Sequence, residues 1–599
     1  MPATKSTPAQ SPKRRPQPVP ARLVSRVAGG LLVAVPVVVF ALTWQYYAVN
    51  APKWDDHALR GYLYFTDQET TLSGKIYQLF KQHNEHRIVY DRIVAALDYR
   101  LFGKLSYVHL MAVGDLSLVG LLAVFGAVLL RAGKPIVYAV PVSLLLFNLS
   151  QWENMFWGMA ALQNFSVVFW VVLTVYWLSY SNRWILAMVS AVLATLTSGN
   201  GLLVWPIGFV LLLLQTAGVD SQPPTKSTNR PARVLISWTL AAALVITLYF
   251  VGFGKPAGNP PDRGTITDLL KGWLAFTGAA AEPLSVDSPL SISIRLGGLM
   301  VLATLGCVAW SLRTHWSTVS HAVQRVLRIR TTESGDEKLI SPISLFLWGC
   351  AAFIVGTAAI VVWTRTGYGI GLLITSRYKI YSLTLLALLY VYAVGRLPHR
   401  AGRWTGAVGA VGSLLIAWLS YNSFVAEVIW VRHYMLTSQF NSMYGTNQPV
   451  GRLDAVTKQY TNSAPAFYDS DPAVLYGAGE SATWPVTVAR TPTGFMVQDR
   501  QMIVGDQRDS RAFVVARSLK RTYLFQTRQN QNLVGRARFW PATPFTTGFT
   551  APIPDNELDA GTYRLFVLTV ATGGQLTLHP TGRTIAPTGS SAAPVQKNW

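Results

Sequence analysis

The chain has 599 residues, 51% hydrophobic and only 13% charged, with a formal net charge of +23. Soluble domains carry about 25% charged residues, so this composition argues against an ordinary soluble protein. The basic balance is one mark of nucleic-acid binding. Here the Lys and Arg residues sit in short stretches between apolar runs, where they set membrane orientation, and no nucleic acid is expected as a partner. Cys307 and Cys350 both fall inside apolar runs and give no disulfide framework.

Residues 1–26 form a Pro-rich basic tail with Lys5, Lys13, Arg14, Arg15, Arg22 and Arg26, expected to be disordered. The apolar run from Val27 to Val49 is too long for a signal peptide and ends in Trp44, Tyr46 and Tyr47, an interfacial aromatic anchor, so it reads as a retained first span. Further spans are predicted near 108–130, 135–150, 161–180, 184–198, 201–217, 233–253, 290–312, 341–364, 378–396 and 405–423, about eleven in all. Alternate connections carry Arg131 and Lys134; Arg183; Lys226, Arg230 and Arg233; Arg313, Arg325, Arg328 and Arg330; and Arg396, Arg400 and Arg403. With an odd span count these share the cytoplasmic side with the N-terminal tail, and the C-terminal part lies outside.

Between the first two spans, Ile88, Val89, Ile93, Val94, Leu97 and Leu101 recur at helical spacing and predict one or two helices along the membrane surface. Segment 254–289 predicts a Gly/Pro-rich turn and a helix around 266–280. After the last span, 424–445 reads as a helix with Phe424, Val428, Val431, Met435 and Phe440 on one face. Beyond 447, alternating stretches such as Arg511–Val515, Thr522–Gln526, Thr562–Leu568 and Gln575–Leu578 predict a small β-sandwich or jelly roll, followed by a loose tail at 580–599. The expected fold is therefore an α-helical polytopic membrane protein with an external β-domain: tail 1–26, membrane module 27–423, soluble part 424–599.

Polar clusters fall on the predicted external side. They are Asp55-Asp56-His57, Gln82-His83-Asn84-Glu85-His86-Arg87, Gln151-Trp152-Glu153-Asn154, Ser198-Gly199-Asn200-Gly201, and the loop opened by Arg365 and closed by Ser376-Arg377-Tyr378. Each has an ordinary reading alone: solvated loop carboxylates, interfacial tryptophans, headgroup-binding arginines, a tight glycine turn. His83, Glu85 and His86 match no zinc spacing. Their shared side is what favours a site. A paired carboxylate can take a hydroxyl proton, and arginines can hold a phosphate leaving group.

Asp55-Asp56 after a first span, the loop with amphipathic helices, the many spans and an external soluble domain resemble the GT-C superfamily of integral-membrane glycosyltransferases. The strings QHNEHR (82–87), QWENMFWG (151–158), SGNGLLVWP (198–206) and SRY (376–378) are similar to those of a group of bacterial membrane proteins of that type. The resemblance covers residues 27–423 in architecture. It implies a bacterial inner-membrane enzyme, N-terminus cytoplasmic and β-domain periplasmic. It would move a sugar, with inversion, from a polyprenyl-phosphate donor to a glycan, lipid or protein acceptor. Asp55 or Asp56 is then the catalytic base. Glu85, His86 and Arg87 complete the pocket, Trp152, Glu153, Asn154 and Asn200 contact substrate, and Arg365, Arg377 and Tyr378 hold the lipid phosphate. Oligosaccharyl-transferring members use a divalent metal with later acidic residues. Glu153, Asp262, Asp268 and Glu282 match no such motif, which leaves a metal open. The rival readings are a lipid-linked glycan flippase and a non-catalytic assembly subunit. A flippase calls for polar groups at membrane depth, of which Asp115 is the main one.

Overall fold

The computed structural model describes residues 19–181, 183–217, 230–254, 263–320, 340–443, 482–502, 508, 511–532, 545–571 and 576–587. Lys226, Asp262, Arg325, Arg328, Arg330, Gln575 and residues 1–18 lie outside them. The chain is mostly helical, and eight helices among the described residues are long and apolar enough to cross a membrane.

The helices that matter for the site are α1 (Val19–Tyr47), α2 (Asp56–Gln68), α3 (Leu72–Phe80), α4 (Val89–Phe102), α5 (Tyr107–Arg131), α6 (Val140–Leu146) and α7 (Ser166–Tyr180). They continue with α8 (Trp184–Thr197), α9 (Val204–Ala217), α10 (Arg230–Phe250), α11 (Ile266–Thr277), α12 (Pro289–Thr314), α13 (Pro342–Arg365), α14 (Lys379–Arg396) and α15 (His399–Met443).

Four of the expected spans differ. At 135–150 the helix breaks after seven residues, because Asn148 donates to the carbonyls of Leu144 and Leu145 and accepts from the Ser150 N–H, substituting side-chain for backbone bonds. α8 and α9 have only 14 residues each, separated by a 3-10 turn at Gly199–Leu203. The last span and the helix expected at 424–445 are one 45-residue helix, α15. Neither Pro nor Gly stands near Phe424 to interrupt it.

The loop between α1 and α5 holds three helices where one or two were expected. α4 is inside-out: it buries Asp91, Arg92 and Asp98 and exposes Ile93, Leu97 and Leu101. The buried polar groups are partly satisfied locally. Asp98 accepts from the Ser106 N–H at 2.7 Å and pairs with His109 at 2.6 Å, while Arg92 donates to the carbonyls of Leu79 and Lys81. α3 likewise turns Leu72, Ile76, Tyr77 and Phe80 outward.

The C-terminal strands are β1 (Thr487–Thr491), β2 (Gly494–Asp499), β3 (Ala512–Arg517), β4 (Thr522–Gln526), β5 (Arg528–Gln531), β6 (Phe545–Pro554), β7 (Tyr563–Val570) and β8 (Leu576–Ile585). They form two four-stranded antiparallel sheets, β1-β2-β6-β5 and β4-β3-β7-β8. Val497, Val514, Phe525, Phe549, Ile553 and Val567 fill the space between the sheets. Consecutive strands pair as hairpins within a sheet, a sandwich of hairpins rather than a jelly roll. β8 extends into the segment expected as loose tail; residues 588–599 lie outside the described residues.

The outer face of the second sheet docks on α15. Phe513, Val515, Leu524 and Phe566 pack with Met435, Leu436 and Phe440 in one apolar cluster, and Arg528 makes a bidentate pair with Glu427. Of the described basic residues in the connections, Arg131 donates to the Tyr180 carbonyl, and Arg396 lies over Trp310.

Candidate functional site

A cavity of about 330 Å³ opens at the end of the helical body that carries the sandwich. Three loop segments reach it and a fourth stands behind its wall, each held by its own hydrogen bonds.

The first is the turn after α1. Asp56 Oδ2 accepts the Lys53 N–H at 2.9 Å, and Asp56 Oδ1 accepts the Met159 N–H at 2.8 Å. The closed turn holds Trp54 at φ 44°, a left-handed conformation that bulky residues rarely adopt. The ring is compensated by an edge-on contact with Trp157 at 5.3 Å and an N–H bond to the Tyr434 hydroxyl at 2.9 Å. Asp55 is thereby aimed into the cavity, 3.7 Å from His83 Nε2. Asp56 is fully buried and lines no part of it. Burial pushes its carboxyl up to about 7, against the two N–H bonds. Of the expected catalytic pair, only Asp55 reaches the cavity, and Asp56 anchors the turn that presents it.

The second segment is Gln82–Arg87. Gln82 exchanges two hydrogen bonds with the backbone of Gly254. The Arg87 guanidinium donates to the carbonyls of Phe80, Tyr249 and Val251, the last two at the C-terminal end of α10, where partial negative charge gathers. Arg87, expected in the substrate pocket, is therefore turned away from it. Between these clips His83 and His86 pair reciprocally through their backbones at 2.9 Å, and Asn84 takes φ 47°, which Asn tolerates. Glu85 and His86 line the cavity, and Glu85 is ion-paired with Arg365. His86 Nδ1 accepts the Gly199 N–H at 3.2 Å, so Nε2 carries the ring proton. Burial and the neighbouring His83 hold His86 down to about 4, an uncharged imidazole at neutral pH.

The third segment is Gln151–Asn154, whose Trp152, Glu153 and Asn154 are expected to contact sugar. It lies behind the wall instead. The Glu153 N–H donates to Ser376 Oγ at 3.0 Å, and that hydroxyl donates on to the Ser150 carbonyl at 2.7 Å. The Glu153 carboxylate meets Lys53 Nζ at 3.5 Å. Asn154 donates to the Arg377 carbonyl and accepts from Asn164. These bonds occupy Glu153 Oε1 and the Asn154 amide, and none of Trp152, Glu153 and Asn154 lines the cavity.

The fourth segment carries Arg377 and Tyr378, on a 3-10 turn that opens α14. The Arg377 guanidinium lies 5.9 Å from the Trp157 ring centroid and 5.7 Å from that of Tyr378. Its Nε has no hydrogen-bond partner, and it makes no ion pair among the described residues. Asn200 completes the wall, donating to the hydroxyls of Tyr381 and Thr357 with its carbonyl oxygen unpartnered. Glycine is required beside it at 201, and the space at 199 is tight. A Cβ on Gly201 would lie 2.0 Å from the Ala194 carbonyl oxygen, and one on Gly199 would lie 3.1 Å from His86 Nδ1.

No family model, no curated protein and no solved structure matches this chain. The chemistry of the site therefore has to be read from its own residues.

Of the expected site residues, the cavity brings together Asp55, Glu85, His86, Asn200, Arg365, Arg377 and Tyr378. It adds Trp157, Gln163, Asn164, Tyr249, Phe250, Phe253 and Ile360. Gln163 and Asn164 stand on a π-helical turn at Ala161–Phe165 ahead of α7, a local widening that recurs at functional sites. Two amides inside an apolar run were the signal for them. Phe250 at the end of α10 and Ile360 on α13 line the cavity and are also exposed on the outside of the helical body.

A divalent cation would need several oxygens at one point. Glu85 is held by Arg365, Glu153 by Lys53, and Glu282 by Lys379, while the Asp268 carboxylate accepts from the N–H and hydroxyl of Thr265, the N-cap of α11. Among the described residues no three acid, His or Cys side chains converge. The described residues of the site do not fit a metal. What they offer is one solvent-reaching carboxylate, one unpaired guanidinium, an uncharged imidazole, amides and aromatic faces.

Proposed function

We propose that the chain is a bacterial inner-membrane glycosyltransferase of GT-C type, which moves a sugar from a polyprenyl-phosphate donor to an acceptor at the periplasmic face. The observation that carries this reading is that Asp55 and Arg377 line one cavity that also reaches Phe250 and Ile360, apolar residues exposed on the flanks of α10 and α13. A soluble enzyme has no use for a polar pocket that reaches an exposed apolar flank; a donor with a lipid tail does.

Two further features support the membrane setting. The inside-out α4 and the outward apolar face of α3 suit helices resting against lipid at the interface. Arg131, Lys134, Arg183, Arg233, Arg313, Arg396 and Arg403 sit at the helix ends opposite the cavity, as the positive-inside rule asks of a cytoplasmic face. The N-terminus would then be cytoplasmic and the sandwich periplasmic.

In the reaction, Arg377 holds the phosphate of the donor. An acceptor hydroxyl gives its proton to an Asp55 oxygen as its own oxygen attacks the anomeric carbon from the face opposite the phosphate. The bond from that carbon to the phosphate oxygen breaks, and the electron pair leaves with the lipid phosphate. The new bond has inverted configuration. Trp157 and Tyr249 offer aromatic faces, and Gln163, Asn164 and Asn200 offer amides, to the sugar hydroxyls. One unpaired cation suits a phosphodiester donor of single charge. Glu85 holds Arg365 ready, and the same guanidinium turns to the phosphate if the donor draws it away.

The test is transfer from a synthetic polyprenyl-phosphate sugar by the purified protein. Asp55→Asn is expected to lower the rate on the order of 10²–10⁴-fold with expression unchanged; unaltered transfer removes Asp55 from the role. A second reading, a lipid-linked glycan flippase, rests on Asp115, whose Oδ1 is buried without a partner inside α5. Flipping sensitive to Asp115→Asn and indifferent to Asp55→Asn would favour it.

A further inference from the structure

Lys53 precedes the Trp54-Asp55 turn and is almost completely buried, 1% exposed. Its ammonium sits over three tryptophan rings, Trp54 at 4.4 Å, Trp157 at 4.8 Å and Trp152 at 5.6 Å, and its carboxylate partner is Glu153 at 3.5 Å. None of these groups but Trp157 lines the cavity. A lysine sequestered in this way does nothing to substrate directly, yet it joins the two sides of the site.

The connections run both ways from Glu153. Through its side chain it holds Lys53, whose N–H and carbonyl close the Asp56 turn around Asp55. Through its N–H it holds Ser376, the residue before Arg377, and its neighbour Asn154 holds the Arg377 carbonyl. Trp157 belongs to both halves: Lys53 Nζ and the Arg377 guanidinium share its ring. Asp55 and Arg377 come from segments more than 300 positions apart in sequence, and this bracket ties the two together.

We infer that Lys53 and Glu153 are positioning residues that fix the separation between the Asp55 carboxylate and the Arg377 guanidinium. The inference rests on the transferase reading for its meaning, though not for its geometry. A buried ion pair adds little stability over apolar side chains of the same size, whereas losing one partner strands the other charge. Its use here is the register it imposes. A misplacement of about 1 Å between groups acting on opposite sides of one bond can cost about 10²-fold in rate.

The test compares Glu153→Gln with the double variant Lys53→Met/Glu153→Gln, which removes both charges and so keeps folding intact. In the double variant, kcat for transfer is expected to fall on the order of 10²-fold, with the acceptor KM and the melting temperature close to those of the natural chain. Wild-type kcat in the double variant, or a loss matching the fraction of unfolded protein, overturns the inference. Hydrogen exchange supplies a readout that needs no activity. In Glu153→Gln the amides of 53–57 and of 376–378 are expected to exchange faster together, and a response confined to one segment also overturns the inference. If the natural chain transfers no sugar, the transferase reading falls while the exchange arm still decides the bracket.

Discussion

Replacing Asp56 by Asn separates an anchoring carboxylate from a reacting one. Its two oxygens accept two different backbone N–H groups, those of Lys53 and Met159. Asn keeps one acceptor oxygen, so one buried N–H faces an amide N–H instead, at a cost of about 1–3 kcal/mol. Asp56→Ala removes both acceptors and costs roughly twice that. The pH dependence sharpens the test. The folded chain holds the Asp56 proton up to about 7, against an ordinary 3.8. The folded state thus binds this proton more tightly than the unfolded state. Its contribution is greatest below about 4, declines as the pH rises, and is lost above about 7. At 1.36 kcal/mol per pK unit the interval corresponds to roughly 4 kcal/mol. Asn has no proton to lose. The variant is therefore expected to be less stable than the natural chain at pH 5, and the deficit to close or reverse by pH 8. Thermal unfolding in detergent, followed by tryptophan fluorescence at pH 5, 6, 7 and 8, measures it. A deficit that does not change with pH refutes the reasoning, and full stability with abolished transfer returns Asp56 to the role of base.

Other outcomes follow from the same geometry. Arg377→Gln is expected to weaken polyprenyl-phosphate binding about 10–100-fold, the loss of a charged hydrogen bond. Arg365→Gln should weaken it less, because that guanidinium already serves Glu85; titration of the lipid phosphate into both variants compares them. Gly201→Ala drives a Cβ against the Ala194 backbone and is expected to destabilise by about 1–3 kcal/mol. Gly199→Ala meets only the ends of His86 and Tyr249 and the Glu85 carbonyl, and should shift substrate KM more than melting temperature. Leu436→Ala empties a fully buried position between α15 and the sandwich. A cost of about 2–5 kcal/mol is expected there, seen as faster proteolytic release of the sandwich.

Much of this architecture was legible because apolar runs and Gly/Pro punctuation are local signals. α5, α10, α12, α13 and α14 lie within a few residues of the predicted spans. The β-strands at Thr522–Gln526 and Tyr563–Val570 followed from alternation. β1 and β2 did not, because their exposed positions carry polar residues such as Thr487, Arg490 and Gln498. The break at Asn148 was hidden because a single side chain makes it. At the site, residue type located the clusters but not their direction. Asp55 and Asp56 are adjacent and chemically alike, and only the fold assigns one to the cavity and the other to two backbone N–H groups. Arg87 and Glu153 were misread for the same reason. Their partners, the α10 carbonyls and Lys53, lie far away in sequence.

The most direct measurement is a structure of the full chain in lipid nanodiscs with a polyprenyl phosphate bound. The account expects the phosphate within hydrogen-bonding distance of Arg377, facing Asp55 across the cavity, with the tail leaving past Phe250 and Ile360. A phosphate bound at the Arg131–Arg396 end of the helices, or a tail that does not pass between α10 and α13, contradicts it.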